Sequence, residues 1–391
     1  MSIHVHWFLP TTGDSRDIVG FGPTTVHRSP DIEYLSQVAR AADHLGFEAV
    51  LTPTGTWCED SWLTTAALSR DTRDLKFLVA FRPGLISPTL AAQQASTFQR
   101  ITRGRLLLNI VTGGDAVEQR RFGDWLDHDQ RYDRTAEFIT VLRGAWGSQP
   151  FDFHGEHYRT AGASTAQPPD PLPGIFFGGA SPAAERVAAR HADVYLTWGE
   201  TPAQVAERID RMRSLADEVG RELRFGIRLH VISRDSSDEA WAVTDRMLDA
   251  MSDDVIEEAQ SAFLSGESVG QHRMASLHGG SRDNLVVSPN LWAGFGLVRS
   301  GAGTALVGSH REVADRIADY HRLGIDHFIM SGQPHLEEAY WFGEGVLPLL
   351  RGEGLIGRDG GAGAADGGAG ADAGADAAPA IGAAPTLVGP S

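Results

Sequence analysis

Two cationic side chains of different kinds stand two residues apart in Arg224-Phe-Gly-Ile-Arg228-Leu-His230-Val-Ile-Ser233. The run is aliphatic and β-branched and reads as a strand, on which residues two apart share a face. Arg228 and His230 therefore point one way, and Ile227, Leu229 and Val231 the other. A guanidinium and an imidazole on one face are costly to bury without an anion or counter-charge. The pair suits either a wet edge strand or a site that holds an anion and handles a proton, and the neighbouring elements decide between them.

Other groups of the same kind lie at comparable junctions. Cys58, the single cysteine, stands in Pro53-Thr-Gly-Thr-Trp-Cys58-Glu-Asp-Ser-Trp62 ahead of a helix start. A thiol can be polarised there, although no cation neighbours it in sequence and a pocket-lining role is the plainer reading. Thr112-Gly113-Gly114 and Gly178-Gly179-Ala180-Ser181 each lead from a strand into a helix. Backbone N–H groups at such a junction bind phosphate, and the glycines allow close approach. The 178–181 turn lies on the later strand and is the better candidate. Arg299 is the one cation in the glycine-rich stretch 290–304. With Arg228 and His230 it would complete a pocket for an oxyanion such as carboxylate, phosphate or sulfonate. The His4-Val5-His6 pair falls at the start of its strand, the wrong end for a barrel metal site, so no metal is expected.

Apolar runs at 5–9, 49–53, 76–81, 105–111, 175–177, 194–197, 224–233 and 327–331 alternate with helical patterns. Eight such units predict a (β/α)8 TIM barrel, with a long insertion after strand seven, about 252–304, read as a mobile lid. No G-x-G-x-x-G follows the first strand, which argues against a dinucleotide-binding sheet. Residues 1–356 are read as the barrel domain, and the Gly/Ala/Asp-rich 357–391 as a disordered tail. In a barrel the chemistry sits at the C-terminal strand ends, which turns Arg228 and His230 inward. A net charge of -17 without any basic run excludes a nucleic-acid partner. One cysteine and the lack of a long apolar span predict a cytoplasmic protein with no membrane partner.

Longer motifs carry a resemblance: Trp7-Phe-Leu-Pro-Thr11, Cys58-Glu-Asp-Ser-Trp62, Val111-Thr-Gly-Gly-Asp115, Tyr195-Leu-Thr-Trp-Gly-Glu200, Gly226-Ile-Arg-Leu-His-Val231, Leu297-Val-Arg299 and Pro334-His-Leu-Glu-Glu-Ala-Tyr340. Over about residues 3–351 the chain resembles the bacterial-luciferase-like flavin monooxygenases, specifically the reduced-flavin-dependent alkanesulfonate monooxygenases. The resemblance implies reduced FMN (FMNH2) as cofactor, O2 as co-substrate and a separate NAD(P)H:FMN reductase. It also implies cleavage of a sulfonate substrate to aldehyde and sulfite, and a homo-dimer or homo-tetramer. It places Cys58 near the flavin, Arg228 and His230 at the sulfonate, with His230 handling the proton, and Arg299 on the lid. Thr112, Gly178, Gly179, Ala180, Ser181 and Trp198 fall to the flavin.

Two positions depart from the family pattern, Thr12 where it has histidine and Gln333 where it has tyrosine. Both belong to the expected substrate pocket, so they leave open another small organosulfur or other substrate. A deazaflavin-dependent oxidoreductase on the same barrel, or a flavin-binding protein without turnover, are the remaining alternatives.

Overall fold

The computed structural model describes residues 2–18, 28–264 and 266–357. Thirteen strands occur among them: β1 (His4–Phe8), β2 (Ala49–Thr52), β3 (Lys76–Phe81), β4 (Leu106–Ile110), β5 (Phe151–His154), β6 (Arg159–Ala163), β7 (Ile175–Gly178), β8 (Val194–Trp198), β9 (Arg224–Arg234), β10 (Val286–Ser288), β11 (Leu291–Trp292), β12 (Ala305–Ser309) and β13 (Ile325–Ser331). Eight of them close a parallel barrel in the order β1, β2, β3, β4, β7, β8, β9, β13 and back to β1. The core strands read as near-continuous apolar runs because helices cover the outside and side chains fill the inside. Phe77, Val79 and Phe81 of β3 pack outward into the main core, while Leu78 joins Phe8, Leu51, Phe176, Val194 and Ile329 in the interior.

The barrel helices are α1 (Ile32–Leu45), α2 (Ser61–Leu68), α3 (Pro88–Thr102), α4 (Ala116–Arg121), α5 (His128–Ala145), α6 (Pro182–His191), α7 (Pro202–Asp217) and α8 (Ser237–Asp249). After the insertion helices α9 (Asp253–Leu264) and α10 (Val269–His278) come α11 (His310–Leu323), α12 (His335–Gly345) and α13 (Leu347–Gly352). Polar caps set most starts: the Ser181 hydroxyl accepts from the Ala184 N–H at 3.2 Å, and Thr201 and Gln204 form a capping box on α7.

Three elements escape the sequence reading. The Pro/Gly-rich excursion after α5 contains the antiparallel hairpin β5–β6, and α4 is an extra short helix. The insertion is built of α9, α10, the β10–β11 pair and a 3-10 turn (Gly294–Leu297), and it ends in a strand, β12. That strand runs parallel to the outer half of β9, Ala305 opposite His230 through Ser309 opposite Arg234. The 11-residue β9 thus pairs first with β8 and then with β12 on the same side. Of the 357–391 tail expectation, residues 358–391 lie outside the described residues.

The H-x-H of β1 faces into the barrel base. His6 Nε2 and His327 Nδ1 lie 2.9 Å apart, His4 bonds the Glu48 carboxylate, and Lys76 Nζ reaches the same carboxylate at 2.9 Å. Among the described residues, no group of three or more His, Cys, Asp or Glu side chains is placed to hold a metal ion. Burial pushes the His6 pKa down to about 4 and that of His327 well below its usual value. A histidine with a depressed folded pKa binds fewer protons than its unfolded counterpart, so stability is lost as pH falls from about 6.5 toward 4. Thermal unfolding should therefore show a melting temperature that drops between about pH 7 and pH 5; a flat profile would contradict this.

Candidate active site

The C-terminal strand ends surround a cavity of about 380 Å³, a size typical of small-ligand sites. Thr112, Gly178, Gly179, Ala180, Ser181, Trp198 and Arg228 all line it. Register explains the convergence: Trp198 at the end of β8 stands opposite Arg228 on β9, and Phe177 on β7 opposite Tyr195 on β8.

Arg228 is the electrostatic focus. Its guanidinium carbon lies 4.1 Å from the centroid of the Phe8 ring. The side chain keeps a side open to the cavity, but Nε is sealed and has no hydrogen-bond partner. Burial and the neighbouring Arg299 push its pKa down to about 9, which leaves it charged at neutral pH with no carboxylate opposing the shift. An unpaired guanidinium in a cavity wall is a strong anion attractor. Burial likewise lowers Arg299, to about 10, with Asp14 acting in opposition. Its Nη1 donates to Gln333 Oε1 at 2.6 Å, and the Gln333 amide N–H donates to the Asp17 carbonyl at 2.7 Å. Gln333 thereby fixes one face of the Arg299 fork.

His230 sits one register step beyond the cavity. Its ring stacks on Phe295 at 4.0 Å, Nε2 donates to the Ala302 carbonyl at 3.0 Å, and the Ser331 hydroxyl donates to Nδ1 at 2.8 Å. With both nitrogens engaged, the ring is held neutral, and burial followed by the Arg299 and Arg228 charges pushes its pKa well below the usual value. Arg299, Gln333, Thr12, His230 and Cys58 are not on the wall of this cavity.

The 178–181 turn opens α6 toward the cavity. Gly179 has φ +148, and a Cβ there would stand 2.5 Å from the Ala184 Cβ and 3.2 Å from the Tyr132 hydroxyl. The junction therefore needs glycine for both conformation and space. An N-terminus of ten helical residues, a glycine pair and the Ser181 and Tyr132 hydroxyls suit a phosphate, and the apolar wall of Leu51, Ile110, Leu196 and Ile329 suits a flat ring. These residues fit a flavin mononucleotide.

Cys58 belongs to the β2–α2 loop, which gives Pro53, Thr54 and Trp57 to the cavity wall. Its Sγ is turned back on the Gly55 carbonyl at 3.6 Å, and burial pushes the thiol up to about 11. Alkylation by iodoacetamide should accordingly be slow near neutral pH and accelerate only above about pH 10; rapid labelling at pH 7 would show a thiolate instead.

The luciferase-like monooxygenase family model matches residues 3–327, most of the chain. The chain belongs to the luciferase-like monooxygenase family. Among solved structures, a riboflavin lyase with modified FMN and riboflavin is 20% identical, with 93% of this chain and 94% of that chain covered and a TM-score of 0.76. The EDTA monooxygenase of Chelativorans sp. BNC1 is 18% identical, at 92% and 96% coverage and a TM-score of 0.72. An F420-dependent secondary alcohol dehydrogenase with an F420–acetone adduct is 18% identical, at 90% and 100% coverage and a TM-score of 0.65. At these identities the likeness shows the shared barrel.

Several wall residues of this family member lie outside the sequence reading. Asn109 points in from β4, and His128 and Tyr132, four apart on α5, have ring centroids 4.9 Å apart, tilted by 58°, beside the glycine turn. The helical spacing of His128 and Tyr132 is a signal that could have found them. The Arg82–Glu118 pair, 2.6 Å apart and buried, ties β3 to α4, and Glu118 accepts the Thr56 N–H at 2.8 Å to hold the Trp57 loop. Ser268, Val269 and Gly270 at the head of α10 complete the rim.

Proposed function

We propose that this family member is an FMNH2-dependent monooxygenase that desulfonates alkanesulfonates to aldehyde and sulfite with O2. The observation that carries the reading is Arg228, an unpaired guanidinium in the wall of a cavity that otherwise suits a flavin. In this reading the α6 N-terminus with Ser181 holds the flavin phosphate, and reduced FMN, when bound, supplies the electrons that activate O2. Arg228, supported by Arg299, orients the sulfonate head group, while the alkyl chain lies along apolar wall. Gln333 holds Arg299 by a neutral amide, and Gln333 and Thr12 are expected to set which sulfonates fit. The stacked, neutral His230 and the thiol of Cys58 exclude water and leave the positive charge to the two arginines. A separate NAD(P)H:FMN reductase would supply the reduced cofactor, in a cytoplasmic homo-dimer or homo-tetramer.

The fold is also shared with an F420-dependent dehydrogenase, so the assay must separate oxygenation from hydride transfer. Anaerobic protein is mixed with FMNH2, then with O2 and a panel of alkanesulfonates, and sulfite is scored. Sulfite release that requires both FMNH2 and O2 is the expected result. Flavin oxidation without sulfite from any member would remove the sulfonate assignment, and failure to bind reduced FMN would remove the oxygenase assignment as well.

A further inference from the structure

The glycine turn that leads into α6 is held from behind by a residue outside the cavity. On β8, Leu196 and Trp198 line the cavity, while Tyr195 points the other way, into the apolar layer between strands and helices. Tyr195 is 2% exposed, and its hydroxyl donates to the Gly179 carbonyl at 2.6 Å. Burial pushes the phenol above its usual pKa range, so the proton stays on oxygen for that bond. Arg208, paired with Glu185 at 2.9 Å, stands beside the same phenol. The Tyr195 ring packs edge-on against Phe225, centroids 6.5 Å apart, which fixes where the hydroxyl sits.

That one bond decides which way a peptide faces. The Gly179–Ala180 peptide is trans, so its carbonyl and its N–H point in opposite directions. With the Gly179 carbonyl fastened toward Tyr195, the Ala180 N–H is directed away from it, to the side where Ala180 lines the cavity. Among the described residues nothing accepts from the Ala180 or Ser181 N–H, and Pro182 has none to offer. The Ala184 N–H is already engaged by the Ser181 hydroxyl. Two donors ahead of the helix therefore remain for a ligand. Glycine at 179 leaves the peptide plane easy to turn. Turned over, it would present a carbonyl in place of an N–H and repel an anion.

We infer that Tyr195 is a positioning residue, fixing the 179–180 peptide so that the Ala180 N–H meets the phosphate of the flavin. The inference rests on the FMN part of the proposed function and extends it to a side chain that touches no ligand. Tyr195→Phe keeps the ring and removes the hydroxyl, which leaves the Gly179 carbonyl without its partner. FMN and riboflavin differ by the phosphate alone, so the ratio of their dissociation constants on the full chain reports the phosphate contact. Wild type should bind FMN more tightly than riboflavin. Tyr195→Phe should lose about 10- to 100-fold of that preference, the loss typical of one hydrogen bond to a charged group, with riboflavin affinity unchanged. Equal weakening of both ligands would mean a merely structural role and would overturn the inference, as would a variant with the wild-type ratio. A wild type without any preference for FMN would remove the phosphate site itself, so the two failures are told apart. The unaltered protein gives a second reading that does not depend on how the variant folds. In 15N-alanine spectra the Ala180 amide proton should move downfield when FMN is added and stay in place with riboflavin. An Ala180 resonance that ignores FMN would overturn the inference equally.

Discussion

Arg228→Met should make the protein more stable and nearly inactive. The wild-type guanidinium is taken from water with no carboxylate to repay the cost, and its Nε has no partner. An uncompensated buried charge costs several kcal/mol, and the stacking on Phe8 returns only about 1 kcal/mol. Methionine fills similar volume without charge. The melting temperature without ligand should rise by about 2–4 °C, the range expected for relief of about 1–2 kcal/mol. Truncating one member of a buried, hydrogen-bonded charge pair costs about 2–5 kcal/mol, so kcat/KM for an anionic substrate should fall by about 10²–10³. A lower melting temperature would reveal a structural partner for Arg228, and an unchanged kcat/KM would place the anion elsewhere.

Gly179→Val should abolish tight FMN binding. At φ +148 a β-branched residue is strained by about 1–3 kcal/mol, and its Cβ would collide with Ala184 on the first turn of α6. The turn must shift, and with it the N–H groups that would face the phosphate. Fluorescence titration should show FMN affinity falling by at least about 10²-fold. Riboflavin, which lacks the phosphate, provides the control. Wild type should prefer FMN to riboflavin, and the variant should lose that preference. If both ligands weaken equally, the phosphate does not bind at this turn.

The barrel was legible because its strands announce themselves locally. Runs such as Phe77-Leu-Val-Ala-Phe81 and Phe225-Gly-Ile-Arg-Leu-His-Val231 carry both the strand and its inward parity. The turn at 178–181 was equally readable, since glycines, a capping serine and Pro182 are adjacent in sequence. β12 was hidden: Gly308 interrupts its five residues, and its parallel pairing depends on β9 running past the end of β8. The Asp14–His335 pair joins residues 321 positions apart, and no local spacing predicts it. The same alternation that aims Arg228 and His230 inward does not reveal that Ala302 and Ser331 occupy both His230 nitrogens. Parity is a property of one strand; partners belong to the closed barrel.

Phe8, Leu51, Leu78, Phe176 and Ile329 fill the barrel below the cavity, and the linked histidines stop its base. Among the described residues, the cavity opens at the C-terminal end of the barrel. A flavin, a substrate and both products would have to pass the same rim of Trp57, Trp198 and the head of α10, so traffic through it must queue. Whatever lies deepest, against Arg228, can leave only after the molecule nearer the rim has moved. Geometry alone would then impose an order on arrivals and departures, with a molecule still held near the rim delaying the exit of whatever lies behind it.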